Sequence, residues 1–159
     1  MGLAFDASSL IILQELGLLR DVVRLGVGLV TTDEVLREVQ SPTVHALVPT
    51  GDLELVHARI AAISSTLRLG LGPGEASILA FVAENPSFWA VLDEKAARQV
   101  ARDLGFRFLG TARLVKHLAD KGLMSADRAR AILESLPRIG FFIEPETIRE
   151  VLGEKPIEL

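Results

Sequence analysis

The amino-acid sequence predicts an α/β fold, a three-layer α/β/α sandwich around a central, mainly parallel sheet of about five strands. Short apolar runs alternate along the chain with stretches whose apolar residues recur at helical spacing. Strands separated by single helices are typical of a parallel sheet with helices on both faces. The length of 159 residues suits one such domain with a sizeable core.

The predicted strands are short, apolar and bounded by turn or capping residues. They cover residues 3–5, 27–30, 52–56, 88–92 and 106–109. The run Phe-Trp-Ala-Val-Leu at 88–92 has the composition of a fully buried strand. The run at 52–56 follows a Pro-Thr-Gly turn and is either a third strand or an edge strand.

The predicted helices are placed by residues that cap or stop helices. The N-cap candidates of the first two helices are Ser8, Ser9, Thr31, Thr32 and Asp33. The first helix is expected to reach residue 19 and, after Gly17, to continue to residue 25; the second is expected to run to residue 39 and to end before Pro42. Further helices are expected over 58–69, 75–84, 93–104, 111–122, 125–136 and 145–153, with a short extended piece at 140–143.

The chain is expected to form a single domain over residues 1–159. It contains no internal repeat, no low-complexity tract and no linker that would separate a second domain. The segment 123–159 follows the last predicted strand, so we interpret it as a C-terminal helical appendage packed on the same core.

The composition is that of a globular protein, with 49% hydrophobic and 24% charged residues. The lack of cysteine excludes disulfides, thiolate metal sites and cysteine nucleophiles. No apolar run approaches the eighteen or so residues that span a bilayer, and the N-terminus lacks the basic segment of a signal peptide. We therefore expect a cytoplasmic protein without a membrane segment.

The charge is unevenly distributed, although the net charge is only -4. Residues 95–138 carry ten Lys or Arg against four Asp or Glu, whereas residues 1–90 carry five against ten. A basic segment beside an acidic site is what a phosphate-backbone binder that also holds cations needs. From charge alone, an ordinary solvated helix face is equally consistent with this segment.

Four carboxylates occupy positions that the predicted fold would bring together. Asp6 and Asp93 each follow a predicted strand, and Glu75 lies in the first turn of a helix. Because ligands bind beyond the carboxyl ends of parallel strands, these side chains are expected at one edge of the sheet. The Glu38 side chain is expected at the same edge of the sheet only if the helix that carries Glu38 crosses that edge.

Each acid also has an ordinary structural interpretation. Asp6 and Asp93 could be helix N-caps, Glu75 could complement a helix dipole, and Glu38 could be a solvated helix residue. Gathering all four costs electrostatic energy unless a cation holds them, and oxygen ligands suit Mg²⁺ or Mn²⁺. The absence of cysteine and the isolation of the three histidines argue against zinc. The acids therefore point to metal-assisted cleavage of a phosphodiester.

Several segments in order resemble the PIN domain, the nuclease fold of many prokaryotic toxins of the VapC type and of several RNA-processing nucleases. The matching segments are LAFDASSL at 3–10, TTDEVLREV at 31–39, LGPGEASILAFVAE at 71–84, WAVLDEKAARQVARDLGFRFLGT at 89–111 and KHLADKGL at 116–123. The chain is most similar to the stand-alone PIN proteins with a PGEA motif, which are predicted to bind nucleic acid. The resemblance covers nearly the whole chain.

The resemblance implies roles for individual residues. The acidic, metal-binding and catalytic positions fall on Asp6, Glu38, Glu75 and Asp93. Glu94 is an extra acid that is either a further ligand or only a helix-start charge. The supporting hydroxyl positions fall on Ser8, which would orient Asp6, and on Thr111. Candidates for nucleic-acid binding in the basic segment are Lys95, Arg98, Arg113 and Lys116.

The function that follows is a ribonuclease dependent on Mg²⁺ or Mn²⁺, acting on single-stranded or structured RNA. A toxin of a type II toxin–antitoxin pair, with an antitoxin protein as partner, is one form of this function. The third acid lies in a PGEA turn instead of a typical toxin motif, so the toxin role stays open. The alternative is a PIN-like module that binds RNA or a protein without cutting.

Two other phosphate-handling folds fit less well. A haloacid-dehalogenase phosphatase needs a second Asp two residues after the first, and this chain has Ser8 there. A receiver domain needs an acceptor Asp at the third strand, and none lies near Val56. The apolar residues Phe141, Phe142 and Ile143 could serve a homodimer, which is frequent among PIN proteins, or close the core.

Overall fold

A computed structural model describes residues 1–59 and 70–159 of the chain. Its strands are β1 (Gly2–Phe5), β2 (Gly28–Thr32), β3 (Glu54–Val56), β4 (Phe88–Val91) and β5 (Phe108–Leu109). Its helices are α1 (Ala7–Glu15), α2 (Leu19–Val23), α3 (Asp33–Glu38), α4 (Pro42–His45), α5 (Pro73–Glu84), α6 (Lys95–Asp103), α7 (Thr111–Asp120), α8 (Ala126–Ser135) and α9 (Pro145–Gly153). A 3₁₀ helix, Leu136–Ile139, follows α8.

The five strands form one parallel sheet in the order β3-β2-β1-β4-β5. Helix α5 packs on β1, β2 and β4 beside α6, while α1 lies beside α2 and α7. These helices form the outer layers, which confirms the predicted three-layer α/β/α fold. The expected strand at 52–56 is β3 and lies at the edge of the sheet.

The strand order reverses at β1, which has β2 on one side and β4 on the other. Phe5 of β1 pairs with Val91 of β4, and the next amide, that of Asp6, donates to the Val91 carbonyl at 3.4 Å. In parallel sheets the crevice beside such a reversal is where ligands bind. The segments that follow β1 and β4 therefore enter the same crevice.

The core is built from the two faces of this sheet and from the helix sides that cover it. The largest fully buried side chains include Phe5, Leu13, Ile78, Leu92 and Leu118. They come from strands and helices on both sides of the strand-order reversal. The crevice thus lies on a tightly packed base, which fixes the direction in which its side chains point.

Helices α8 and α9 both contact α7 and bury apolar residues there. Ala129, Leu133 and Leu136 are fully buried, and Ile148 and Val151 are nearly so. The segment from residue 123 onward therefore contributes to a shared apolar interface. The organisation as a single domain with an appendage stays a prediction.

Several expected element bounds differ from the structure, each for a local reason. The first helix stops at Glu15, because Gly17 adopts a positive φ of 70° and separates α1 from α2. Helix α4 was not expected; Ser41 caps it, and Pro42 occupies its first turn, where proline is tolerated. Gly140 ends the 3₁₀ helix with φ 81°, and residues 141–143, expected to be extended, belong to no helix or strand.

Two further expectations concern helix positions. Helix α6 begins at Lys95, two residues after the expected start at Asp93. The helix expected over 58–69 falls mainly on residues 60–69, which lie outside the described residues. Within the part of the chain that the structure describes, no helix is long and apolar enough to cross a bilayer.

The start of β1 tests the sheet packing. Gly2 pairs with Gly28 in the register of β1 and β2, and a Cβ at Gly2 would lie 2.2 Å from the Gly28 carbonyl oxygen. At Gly28 a Cβ would meet its nearest atom at 3.5 Å, an ordinary contact. We expect Gly2→Ala to lower the free energy of unfolding by about 1–3 kcal/mol, as overpacking does. Urea denaturation measures this; equal effects of Gly2→Ala and Gly28→Ala would contradict the packing described.

Candidate functional site

Asp6 is the most deeply buried acid of the crevice. It follows β1, has no exposed surface and caps α1, a position that we expected Ser8 or Ser9 to hold. Its Oδ1 accepts hydrogen bonds from the Ser9 amide at 2.8 Å and from the Ser9 hydroxyl at 2.7 Å. Its Oδ2 is buried without a hydrogen-bond partner among the described residues.

Burial gives Asp6 an unusual pKa. Desolvation raises the pKa of Asp6 from 3.8 to about 7, although the two Ser9 hydrogen bonds lower it. The nearby negative charges of Asp93 and Glu75 are smaller causes of the same rise. An acid that only caps a helix does not need to be desolvated in this way.

Asp93 is held by the first residue of α7. Its Oδ1 accepts from the Thr111 amide at 2.9 Å, and its Oδ2 accepts from the Thr111 hydroxyl. Burial raises the pKa of Asp93, and the Thr111 hydrogen bonds and the positive charge of Arg98 only partly offset this. The N-cap of α6 is Glu94, so Asp93 does not cap the helix that follows it.

Glu75 and Glu38 meet at the Gly-Pro-Gly-Glu turn that starts α5. The Glu75 Oε2 accepts from the Gly72 amide at 3.0 Å, and the Glu38 Oε1 accepts from the Gly74 amide at 3.0 Å. Burial raises the pKa of Glu75, and the charges of Glu94 and Glu38 raise it further. Helix α3 thus ends beside the crevice, and Glu38 is exposed there.

The glycine at position 74 leaves room for this contact. A Cβ at Gly74 would lie 2.8 Å from the Glu38 Oε1. Any side chain there would displace the carboxylate from the amide that holds it. The PGEA motif therefore has a steric reason for its glycine.

A buried hydroxyl pair joins the helices that carry Glu38 and Glu75. The Thr32 hydroxyl caps α3 and lies 2.6 Å from the Ser77 hydroxyl, which donates to the Gly74 carbonyl at 2.6 Å. Thr32 was expected only as a cap, and Ser77 was not singled out at all. Its position two residues after Glu75 carries no signal in the sequence, since serine is common on helix surfaces.

The hydrogen bond to Asp6 that we expected from Ser8 is made by Ser9. Ser9, not Ser8, bonds to Asp6, because the third residue after an N-cap is the one whose amide faces the cap side chain. The Ser8 hydroxyl instead lies 3.4 Å from the Glu94 Oε1. The hydrogen-bond pattern of N-caps could have identified Ser9 from the sequence.

The acids thus converge, but they do not form a complete metal cage. Within residues 1–59 and 70–159, no three Asp, Glu or His side chains lie close enough together to be a ready-made ligand set. Mg²⁺ is usually bound by one or two carboxylates together with waters and substrate phosphates. The unpartnered Asp6 Oδ2 and the oxygen-only donors fit that kind of binding.

The four basic residues expected to bind nucleic acid form two pairs. Lys95 and Arg98 are at least partly exposed, whereas Lys116 and Arg113 are bonded to other groups of the protein. Lys95 is exposed at the start of α6, and Arg98, one turn later, is partly exposed near Asp93. Lys116 is buried, and its ammonium group bonds to both oxygens of Asp120 at 2.7 Å. Lys116 is thus bonded within the protein, and its expected role in binding nucleic acid stays a prediction.

Arg113 also bonds to other groups of the protein. Its guanidinium forms an ion pair with Glu154 at 2.6 Å and donates to the carbonyls of Val151 and Lys155. The arginine joins α7 to the C-terminal segment instead of facing solvent. The sequence could not show this, because the partners lie about forty residues away.

Removing the charge of Asp6 tests its burial. Because the folded protein keeps the Asp6 proton up to about pH 7 and the unfolded chain loses it near pH 4, the free energy of unfolding falls as pH rises between these values. An Asn can accept both Ser9 bonds, but its amide lacks an acceptor. We expect Asp6→Asn to raise the free energy of unfolding by about 1–3 kcal/mol at pH 8 and to give no gain at pH 4.

Urea denaturation at the two pH values checks this expectation. Asp127→Asn, at an exposed acid in the first turn of α8, is the matched control and should show no such pH-dependent gain. Equal stability of wild type and Asp6→Asn at both pH values would mean that Asp6 is an ordinary cap, since Asn caps helices as well as Asp does.

Comparison with known proteins agrees with this geometry. A family model described as a PIN domain matches residues 3–155. No curated protein matches the chain. PIN domains are generally nucleases, and PIN nucleases typically use divalent metals. The match covers nearly the entire chain, from β1 through α9, and the chain is a member of the PIN-domain family.

Proposed function

We propose that this protein is a nuclease that uses Mg²⁺ or Mn²⁺ to hydrolyse phosphodiester bonds of single-stranded RNA. The observation that carries the proposal is the pairing of Asp6 and Asp93 at the strand-order reversal. Each follows one of two neighbouring parallel strands, and each has a raised pKa. Carboxylates whose pKa is raised by desolvation and by neighbouring negative charge are a mark of functional sites.

Asp6 and Asp93 would hold the metal ion, and Glu75 and Glu38 would add negative charge from the start of α5. When bound, such an ion acidifies water and neutralises charge on the phosphate. Glu94, exposed next to Asp93, is a candidate for a further contact.

The chain prepares these carboxylates before any ligand arrives. Ser9 fixes the Asp6 Oδ1, which leaves Oδ2 as the free donor. Thr111 fixes both oxygens of Asp93 through hydrogen bonds that leave the second lone pairs available. Arg98 supplies positive charge for the substrate phosphate beside Asp93. No side-chain nucleophile is needed, because water is the attacking group.

A second function, binding of RNA or of a protein without cleavage, is supported by one observation. The described residues contain no ready-made set of three metal ligands, as a degenerate site would also show. The raised pKa of Asp6 favours the nuclease, because a module that only binds has no use for a buried, repelled carboxylate.

The narrower roles stay predictions. A toxin with an antitoxin partner, a homodimer and a cytoplasmic location have no test in the geometry of the crevice. Phe141 and Ile143 are partly buried, whereas Phe142 is 75% exposed, so only one member of that apolar group is available for a partner.

A nuclease assay tests the proposal directly. We expect cleavage of a labelled single-stranded RNA in Mn²⁺ or Mg²⁺, complete loss in EDTA, and a loss of at least about a hundredfold in Asp6→Asn and Asp93→Asn. Asp127→Asn, purified in the same way, should cut like the wild type. Cleavage that survives in Asp6→Asn would show a contaminating nuclease or a different site, and absence of any cleavage would favour the binding module.

Thermal unfolding tests metal binding independently of cleavage. Metal at ten times its dissociation constant should add about 1.4 kcal/mol to the free energy of unfolding, a rise in melting temperature of roughly 3–6 °C. The rise should be larger at pH 8 than at pH 6, because the ion competes with the Asp6 proton. It should be absent in Asp6→Asn; an equal rise in that variant would place the metal elsewhere.

A further inference from the structure

A cavity of about 730 Å³ opens beside Asp93. One wall comes from β4, α6 and β5, and the opposite wall comes from the C-terminal segment that contains α9. The volume is in the range of small-molecule sites. Because Asp93 is itself a lining residue, whatever occupies the cavity lies next to this carboxylate of the crevice.

Aromatic rings line this cavity on both walls. Trp89 and Phe108 come from the sheet, and Phe141 and Phe142 come from the C-terminal segment. Phe142 is 75% exposed, more than the other large hydrophobic side chains of the described residues. An exposed ring at the mouth of a cavity is costly in water and is typical of a surface that stacks on a ligand.

Two arginines lie on the sheet side of the cavity. The Arg102 guanidinium is 5.6 Å from the centre of the Phe108 ring and donates to the Gln99 Oε1 at 3.0 Å. These contacts orient its planar group at the rim while other donors stay free. Arg98 lines the same wall and has no carboxylate partner within ion-pair distance among the described residues.

The other wall is acidic. Glu144, Glu150 and Glu154 lie along it, and Glu154 is paired with Arg113, which holds the wall in place. A phosphate is therefore repelled from this side and attracted to the arginine side, which adjoins Asp93. The charges on the two walls therefore match a nucleotide whose base lies inside the cavity and whose phosphate points toward the crevice.

We propose that this cavity binds one unstacked nucleobase of a single-stranded nucleic acid, stacked on Phe142, with the adjoining phosphate at Arg98 and Arg102. Grooves that combine aromatic rings with basic side chains are the usual platform for single strands, because every base has a face to stack and a duplex hides it. This inference rests on the proposed nuclease function and specifies its substrate: a base held here places a neighbouring phosphodiester before Asp6 and Asp93.

Trp89 provides a reporter for the cavity, because it is the only tryptophan of the chain and lines the wall. We titrate the metal-free protein with adenosine 5′-monophosphate, ribose 5-phosphate and inorganic phosphate and follow Trp89 emission. The nucleotide should quench the emission, and the two base-free phosphates should not. Equal responses to all three would indicate a simple anion site and would overturn the proposal, as would no response to the nucleotide.

Two variants locate the binding. Phe142→Ala and Arg102→Gln should each weaken quenching by the nucleotide about fivefold or more. Ile11→Ala, at another exposed apolar residue, and Arg130→Gln, at an exposed arginine outside the cavity, should leave it unchanged. An unchanged affinity in Phe142→Ala would overturn the stacking role. Anisotropy with a labelled single strand and with its duplex, in RNA and DNA forms, should show preference for the single strand.

The same measurements separate this inference from the nuclease proposal. In Asp6→Asn, which loses the proposed metal contact, nucleotide quenching should persist. If the wild type cuts no RNA but quenching depends on Phe142, the cavity stands and the nuclease proposal fails. If RNA is cut while quenching is absent or independent of Phe142, the cavity proposal fails alone.

Discussion

The fold depends on one constraint: the Asp6 carboxylate is buried at the point where the strand order reverses. Desolvation and the charges of Asp93 and Glu75 all act against its ionised form, and the hydrogen bonds from Ser9 only partly compensate. The cost is sustained because β1 is the central strand of the sheet, paired on both sides. A packed strand on each side leaves the chain no room to turn the carboxylate toward solvent.

The remaining acids are arranged around this one by backbone amides and hydroxyls instead of by cations. Glu38 and Glu75 accept from Gly74 and Gly72, and Asp93 accepts from Thr111. Each carboxylate is thus fixed by a neutral donor, and the positive charge of Arg98 offsets only part of the rise in the pKa of Asp93. These hydrogen bonds fix the orientation of the carboxylates, as the proposed metal binding requires.

The C-terminal segment forms one wall of the cavity beside Asp93. Arg113 links α7 to Val151, Glu154 and Lys155, and so places the aromatic residues before α9 opposite the sheet edge. The basic segment therefore serves two purposes. Arg113 and Lys116 form ion pairs within the protein, whereas Arg98 and Arg102 line the cavity.

Local patterns in the sequence were enough to predict the five strands, most of the helices, the parallel sheet and the position of Asp6 and Asp93 after strands. They also identified the Gly-Pro-Gly turn before Glu75, because turns and caps depend on a few neighbouring residues. Only the tertiary structure decided that Ser77 joins the two glutamate helices and that Lys116 and Arg113 face inward. These outcomes depend on contacts between residues far apart in the chain, such as Arg113 with Lys155, and no short-range pattern specifies which distant partner a side chain will meet.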